Sequence, residues 1–387
     1  MIYADYAATT AMSQTALDTM LRHLGALYGN PSALYTHGQQ AKRVLEDARS
    51  TVAALLHAEP KELTFTSGGS ESDNQALRSA AAIGAAAGKR HIISTAIEHH
   101  AVLRTLEQLE REGFSVTLLD VPESGTVSAE QVASAIRADT CLVSVMFANN
   151  EIGTIQPVAE IGAVCRERGV LFHTDAVQAA GHLEIDVKSQ NIDLLSLSAH
   201  KFHGPKGIGA LYARRGIRLT PLICGGAQER GVRAGTENAP AAAAMAAALG
   251  ECCANLPQMQ QKLCRQRDRL IDGLSAIPGS MLNGDRLCRL PSNVNFSFPG
   301  IEGETLLLLL DQRGICASSG SACASGSAEP SHVLTAIGRD RDAARSSLRL
   351  TIGAETTDAE IETIISAVTE CVTALRSLMH DRSETPT

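Results

Sequence analysis

Val170-Leu171-Phe172-His173-Thr174-Asp175 and, a short connection later, Leu194-Leu195-Ser196-Leu197-Ser198-Ala199-His200-Lys201 are two short runs that end on residues able to do chemistry. Their apolar character reads as strands buried on both faces. Leu63–Ser67, His91–Ile97, Val116–Val121, Cys141–Ala148 and Ile208–Tyr212 read the same way. Between the strands lie helical patterns at Glu71–Ala86, Ala101–Glu112, Ser128–Arg137 and Pro157–Arg168. This alternation predicts an α/β fold with a mostly parallel seven-stranded sheet and helices on both faces. Ligands of such sheets sit beyond the carboxyl ends of the strands. Asp175 and Lys201 would both open onto that end.

After about Gly250 the pattern changes. A charged helical stretch, Gln258–Ile277, precedes a strand-like Asn293–Phe298, a helix over Glu302–Arg313, a Gly/Ser-rich segment at Ser318–Ser327, a strand-like Ser347–Ile352 and a helix over Thr357–Leu378. The reading is a large domain over 15–255 and a smaller α+β domain from 1–14 and 256–379, with 380–387 a polar, disordered tail.

Composition narrows the function classes. The 387 residues carry 34 Lys and Arg against 42 Asp and Glu, a net charge of −8. That balance speaks against a general binder of nucleic acid or of anionic membranes. No run of 18 apolar residues exists, and the first residues lack a basic start and an apolar signal core. A cytoplasmic protein is therefore expected. With 3% aromatics and no Trp, the core must rest on Ala, Leu, Val and Ile. The ten Cys show no CxxC spacing, so no metal site is expected, and most should be small core residues with free thiols.

Four constellations carry chemistry. Thr66-Ser67-Gly68-Gly69-Ser70-Glu71 follows a strand and opens a helix. It suits either an anion at the helix N-terminus, with Ser70 as an extra donor, or an ordinary Ser cap. Asp175, in His173-Thr174-Asp175-Ala176-Val177-Gln178, can pair with a protonated heteroaromatic nitrogen or simply close a turn. Lys201 stands at a strand end beside hydroxyls and a His, a setting in which a neutral amine can capture an aldehyde. A Lys, an Asp and a helix N-terminus on one side of a sheet are the parts a pyridoxal-phosphate site needs. Finally, Cys323 lies in Ser318-Ser319-Gly320-Ser321-Ala322-Cys323-Ala324-Ser325-Gly326, either an accessible nucleophile or an incidental thiol in a linker.

These residues, with Asp5–Thr10, Gly29-Asn30-Pro31-Ser32, Glu98-His99, Asn149-Asn150-Glu151-Ile152-Gly153, Arg230–Thr236 and Leu348-Arg349, resemble group I cysteine desulfurases of the NifS/IscS type, within the class-V aminotransferase family. The Ser-Ser-Gly-Ser-Ala-Cys segment is the most specific part of the likeness. The resemblance implies a pyridoxal-phosphate enzyme of fold type I, like aspartate aminotransferase. Its activity would convert L-cysteine to L-alanine and hold the sulfur as a persulfide on Cys323. Lys201 would hold the cofactor and move the Cα proton; Asp175 would pair with the ring nitrogen and Gln178 with the ring hydroxyl. His99 would stack on the ring and serve as acid or base. Gly69, Ser70, Ser198 and His200 would cradle the phosphate, and Thr236 would reach the phosphate of the partner in a homodimer. Asn150 and Arg349 would take the substrate, Arg349 forking onto its carboxylate. The acceptor would be an iron–sulfur scaffold or a tRNA-thiolation enzyme. The C-terminus, Ser383-Glu384-Thr385-Pro386-Thr387, departs from the tail that housekeeping members use to dock their scaffold. The alternative is another enzyme of the same fold, an aminotransferase or selenocysteine lyase, which shares Lys201 and Asp175.

Overall fold

The structure, a computed structural model, describes residues 1–319 and 330–383, with side chains through Leu378. Seven strands form the main sheet. Across it they run Leu63–Thr66, Gly209–Ala213, Leu194–Ser198, Leu171–Asp175, Thr140–Ser144, His91–Thr95 and Ser115–Leu119. Gly209–Ala213 is antiparallel to both neighbours, and the other neighbouring pairs are parallel. Five of these strands are buried at every position, because helices cover both faces. The edge strand Ser115–Leu119 is partly exposed, and its hydrophobicity is correspondingly mixed.

Strand register places the chemistry. Asp175 pairs with Ser196 across parallel strands, so the carboxyl ends of Leu171–Asp175 and Leu194–Ser198 lie side by side. The chain then turns through a short 3-10 segment, Ala199–Lys201, that lifts Lys201 over the sheet end. The long apolar run from Cys141 leaves regular strand geometry at Ser144. Its continuation still follows the neighbouring strand, with Val145 N and Phe147 N donating to the His173 and Asp175 carbonyls, and this carries Asn150 to the same end. The helix expected at Glu71 begins two residues earlier, at Gly69, because Gly68 and not Ser70 is the N-cap.

A second core surrounds a three-stranded antiparallel sheet of Met281–Leu282, Asn293–Ser297 and Ser347–Thr351. Phe296, Phe298, Leu306 and Leu350 are buried there against Leu270, Leu274, Ile364 and Val368 of two long helices, Leu256–Ser275 and Asp358–Ser383. Fully burying side chains of this kind contributes about 1.5–3 kcal/mol each. The first residues join this core: Ile2–Tyr3 pairs in parallel with Ile315–Cys316, and Ala4 is buried. From there Asp5–Ala8 cross to the sheet end. Val333, Leu334 and Ile337, by contrast, pack into the core of the main sheet.

Two expectations need correction. The last helix continues to Ser383, four residues into the stretch expected to be disordered, since no Gly or Pro interrupts His380–Ser383. Glu384–Thr387 lie outside the described residues. The cysteines are also less buried than expected: of those described, only Cys141, Cys165 and Cys371 are buried, and Cys224 and Cys288 are exposed. Among the described residues no single helix is long and apolar enough to cross a membrane.

Candidate active site

At the carboxyl end of the parallel strands lies a cavity of about 240 Å³. It is lined by Gly69, Ser70, His99, Asn150, Asp175, Gln178, Ser198, His200, Lys201 and Arg349, ten of the residues singled out from the sequence. A more open cavity adjoins it over Ser67–Glu71, Ser198, His200, Lys206 and Gly207. Thr236 is exposed and lines neither cavity. Cys323 lies outside the described residues.

Lys201 Nζ donates to the carbonyls of Ala7 at 2.6 Å and Ala8 at 2.9 Å. Gln178 Nε2 donates to the same Ala7 carbonyl at 3.0 Å. The crossing segment at the start of the chain thus closes one wall and fixes two cavity side chains. Asp175 Oδ1 accepts from Val177 N at 2.9 Å. Burial raises the pKa of its carboxyl, and His99 and Lys201 oppose that rise. A cation against Asp175 would relieve the same cost.

His99 caps the helix His100–Arg111, its Nδ1 accepting from Ala101 N at 3.1 Å. A neutral ring in that bond carries its proton on Nε2. His200 Nδ1 lies 3.1 Å from Thr9 Oγ1. Burial first, and Lys201 and Lys206 next, lower its pKa to about 4, so its ring is neutral and each nitrogen either donates or accepts.

Arg349 is 1% exposed. Its Nη1 donates to the Asn150 carbonyl at 3.1 Å and its Nη2 to Asp5 Oδ1 at 2.7 Å. Its Nε is buried without a hydrogen-bond partner among the described residues. A buried guanidinium N–H left in this way fits an anionic ligand that completes it.

The segment carrying Thr236 is held by a buried ion pair. Arg49 donates from both terminal nitrogens to the Glu229 carboxylate at 2.7 Å. Glu229 and Arg230 have φ of 45° and 59°, conformations that side chains rarely adopt and that this pairing holds. Arg233 then ties the segment to the helix start through Glu71, 3.0 Å from Nε to Oε1.

Sequence reading missed three participants. The carbonyls of Ala7 and Ala8 belong to a quoted motif, but backbone acceptors leave no signature in residue type. Asp73 lines the cavity one helical turn beyond Gly69, within the expected helix Glu71–Ala86, and its fully buried carboxyl could have been read from that spacing.

The residues fit pyridoxal phosphate. A primary amine, a buried carboxylate and a helix N-terminus face a single space. At that N-terminus Gly68, with φ of 154°, has no side chain to cap the first amides. A Cβ on Gly69 would meet Val177 Cγ2 at 2.6 Å, so no larger residue keeps this close approach.

The profile of the class-V aminotransferase family matches residues 2–364. A protein described as cysteine desulfurase IscS from Clostridium botulinum is 51% identical over 380 residues, covering 97% of this chain and 96% of its own. The IscS of Methanosarcina thermophila is 50% identical over 377 residues, 97% of this chain and 93% of its own. Among solved structures, a NifS-like protein superposes with a TM-score of 0.90 at 36% identity, over 96% of this chain and 99% of that one. A structure of SspA in complex with cysteine superposes with a TM-score of 0.82 at 37% identity, over 92% of this chain and 100% of that one. The chain belongs to the class-V aminotransferase family and, within it, to the cysteine desulfurases. It is a pyridoxal-phosphate enzyme of fold type I that takes sulfur from cysteine for transfer to acceptors.

Proposed function

We propose that the cavity binds L-cysteine and that its sulfur leaves as a persulfide on Cys323, with L-alanine as the other product. The observation that carries this reading is the meeting of Lys201, Asp175 and Arg349 on one cavity. Bound pyridoxal phosphate supplies an electron sink for the charge released at the substrate Cα. Asp175 would pair with the ring nitrogen and Gln178 with the ring hydroxyl. The amides at Gly69 and Ser70, with Ser198 and His200, take the phosphate. Arg349 receives the substrate carboxylate through Nε and Nη atoms already oriented by Asp5 and Asn150. Lys201 would hold the cofactor and move the Cα proton, and the Ala7 and Ala8 carbonyls are placed to hold its ammonium form. His99 would stack on the ring and serve as acid or base.

The Cys323 thiolate attacks the substrate sulfur. A sulfur–sulfur bond forms and the carbon–sulfur bond breaks, its electron pair remaining on carbon until protonation yields alanine. The persulfide then passes to an acceptor, an iron–sulfur scaffold or a tRNA-thiolation enzyme, in the cytoplasm. We further propose that residues 15–255 form the cofactor-binding domain, that 1–14 with 256–379 form the smaller one, and that the enzyme works as a homodimer with Thr236 completing the partner's phosphate site. Leu17, Leu21 and Leu24 support a dimer: they are exposed along one helix, Gln14–Ala26, and exposed Tyr28 and Tyr35 follow. The test is to incubate the holoenzyme with L-cysteine without reductant. Alanine should appear with the protein gaining one sulfur. Alanine-free turnover, or an amino group passed to a keto acid instead, would replace this reading with an aminotransferase.

A further inference from the structure

Asp73 is fully buried on the helix Gly69–Ala86 and borders the cavity. One of its oxygens, one of Asp175 and a ring nitrogen of His99 lie within 4.8 Å of one another. Burial first, and Asp175 next, raise the pKa of the Asp73 carboxyl well above its ordinary value. Its Oδ1 has no hydrogen-bond partner among the described residues. His173 Nε2 is 3.7 Å from that oxygen, but burial lowers the pKa of His173 to about 3, so the ring is not a counter-ion.

The surrounding bonds form a chain of neutral groups. Ser144 Oγ lies 2.8 Å from His173 Nδ1, and His173 Nε2 lies 3.0 Å from Ser196 Oγ. Ser196 opposes part of the rise in the Asp73 pKa. Where Ser144 donates to His173 and His173 to Ser196, the Ser196 hydroxyl proton is left to turn toward Asp73. Such a relay brings Asp73 at most one neutral donor and no charge. A carboxylate buried on those terms, beside another carboxylate, is costly, and a proton removes the cost.

We propose that Asp73 is a positioning residue that stays a carboxylic acid in the working enzyme and presents its proton toward Asp175, leaving Asp175 the one carboxylate of the pair beneath the cofactor. This rests on Asp175 as the partner of the ring nitrogen. Two carboxylates in this space would make Asp175 more basic and set them competing for one proton. The neutral acid instead acts as a fixed donor at the back of Asp175, so that the front oxygen faces the cavity.

Infrared difference spectroscopy of wild type against Asp73→Asn, on apoprotein and holoenzyme, reads the protonation state. The expected difference is a carboxylic-acid carbonyl band that shifts in D2O. A carboxylate pair of bands in its place overturns the proposal. The second readout is the pH midpoint of the cofactor's visible absorption. Asp73→Asn keeps a neutral donor and should hold that midpoint, whereas Asp73→Leu, which removes the donor, should move it by about half a unit or more. A midpoint moved equally by both variants also overturns the proposal. Asp175→Asn separates the two readings. If it leaves the midpoint unmoved, the role given to Asp175 fails, while the infrared band still reports Asp73 by itself.

Discussion

Arg349 Nη2 and Asp5 Oδ1 are 2.7 Å apart, an ion pair joining residues 344 positions apart in the chain. The side chain of Arg349 is 2% exposed and that of Asp5 17%. The pair orients the guanidinium while its Nε stays available. Arg349→Ala should therefore raise KM for L-cysteine strongly. Losing one partner of a buried charged contact costs about 2–5 kcal/mol, some thirtyfold to several-thousandfold. Asp5→Asn should raise KM less, since the fork remains but is less firmly held. Steady-state kinetics of alanine formation checks both, and an unchanged KM in Arg349→Ala would assign the carboxylate to another group.

Lys201 is the only amine lining the main cavity among the described residues, and it sits on the Ala7 and Ala8 carbonyls. Purified wild type should be yellow. Lys201→Ala should lose the visible band of the covalent link and essentially all turnover, even where cofactor stays bound through the phosphate contacts. Absorbance and cofactor content measured on the same sample make the distinction. A colourless wild type that added pyridoxal phosphate does not restore would remove Lys201 from its role.

Glu98 is fully buried, and burial is the main cause raising its pKa from 4.5 to about 8. Its Oε1 accepts from Met146 N at 2.8 Å and Thr95 Oγ1 at 3.0 Å, while Oε2 has no partner among the described residues. A carboxyl that is neutral when folded contributes its stability in full below its unfolded pKa. That contribution is lost as pH rises from about 4.5 to 8 and changes no further above that. Glu98→Gln should match wild-type apoprotein near pH 4 and exceed it at pH 8, by on the order of a few kcal/mol. Urea unfolding across that range measures the difference. A gap that narrows with rising pH would reverse the assignment.

Much of this was legible because strand ends, a Gly-Gly helix start and a strand-end Lys are local patterns. Lys201 and Asp175 could be placed on one side from strand order alone, and the Asp175–Ser196 register puts them there. The two-residue pairing of Ile2–Tyr3 with Ile315–Cys316 was beyond reach, since so short a strand has no periodicity to read. The same limit hid the carbonyls that hold Lys201. Asp73 falls inside the expected helix Glu71–Ala86, where a single Asp carries no mark of burial beyond its one-turn spacing from Gly69.

If Thr236 serves the partner's phosphate, each site mixes residues from two chains. Thr236→Ala should weaken cofactor binding, and Lys201→Ala should be inactive. Mixing the two variants and allowing subunits to exchange should restore part of the activity, because one protomer then keeps its Lys201 and borrows an intact Thr236. Sedimentation should show a dimer at assay concentration. An active monomer, or no recovery on exchange, would take Thr236 out of the site.

The last prediction concerns which thiol carries the sulfur. Cys316 pairs with Tyr3 in the short parallel strand and its carbonyl accepts from Ala4 N at 2.9 Å, so its backbone is fixed on both sides. Its side chain is half-buried. Two residues on, Ser318 exchanges backbone hydrogen bonds with Arg349, the residue proposed above to take the substrate carboxylate. Cys323 follows Ser318 by five residues, which when extended span at most about 17–18 Å. The chain is therefore long enough to bring Cys323 to a sulfur bound beside Arg349. Cys316 has no such freedom while Tyr3 and Ala4 hold it. Cys323→Ser should retain cofactor and bind L-cysteine yet form no persulfide, losing turnover, and Cys316→Ser should stay active. Peptide mass spectrometry after L-cysteine, without reductant, should place the extra sulfur on Cys323. Finding it on Cys316, or full alanine formation in Cys323→Ser, would overturn the assignment.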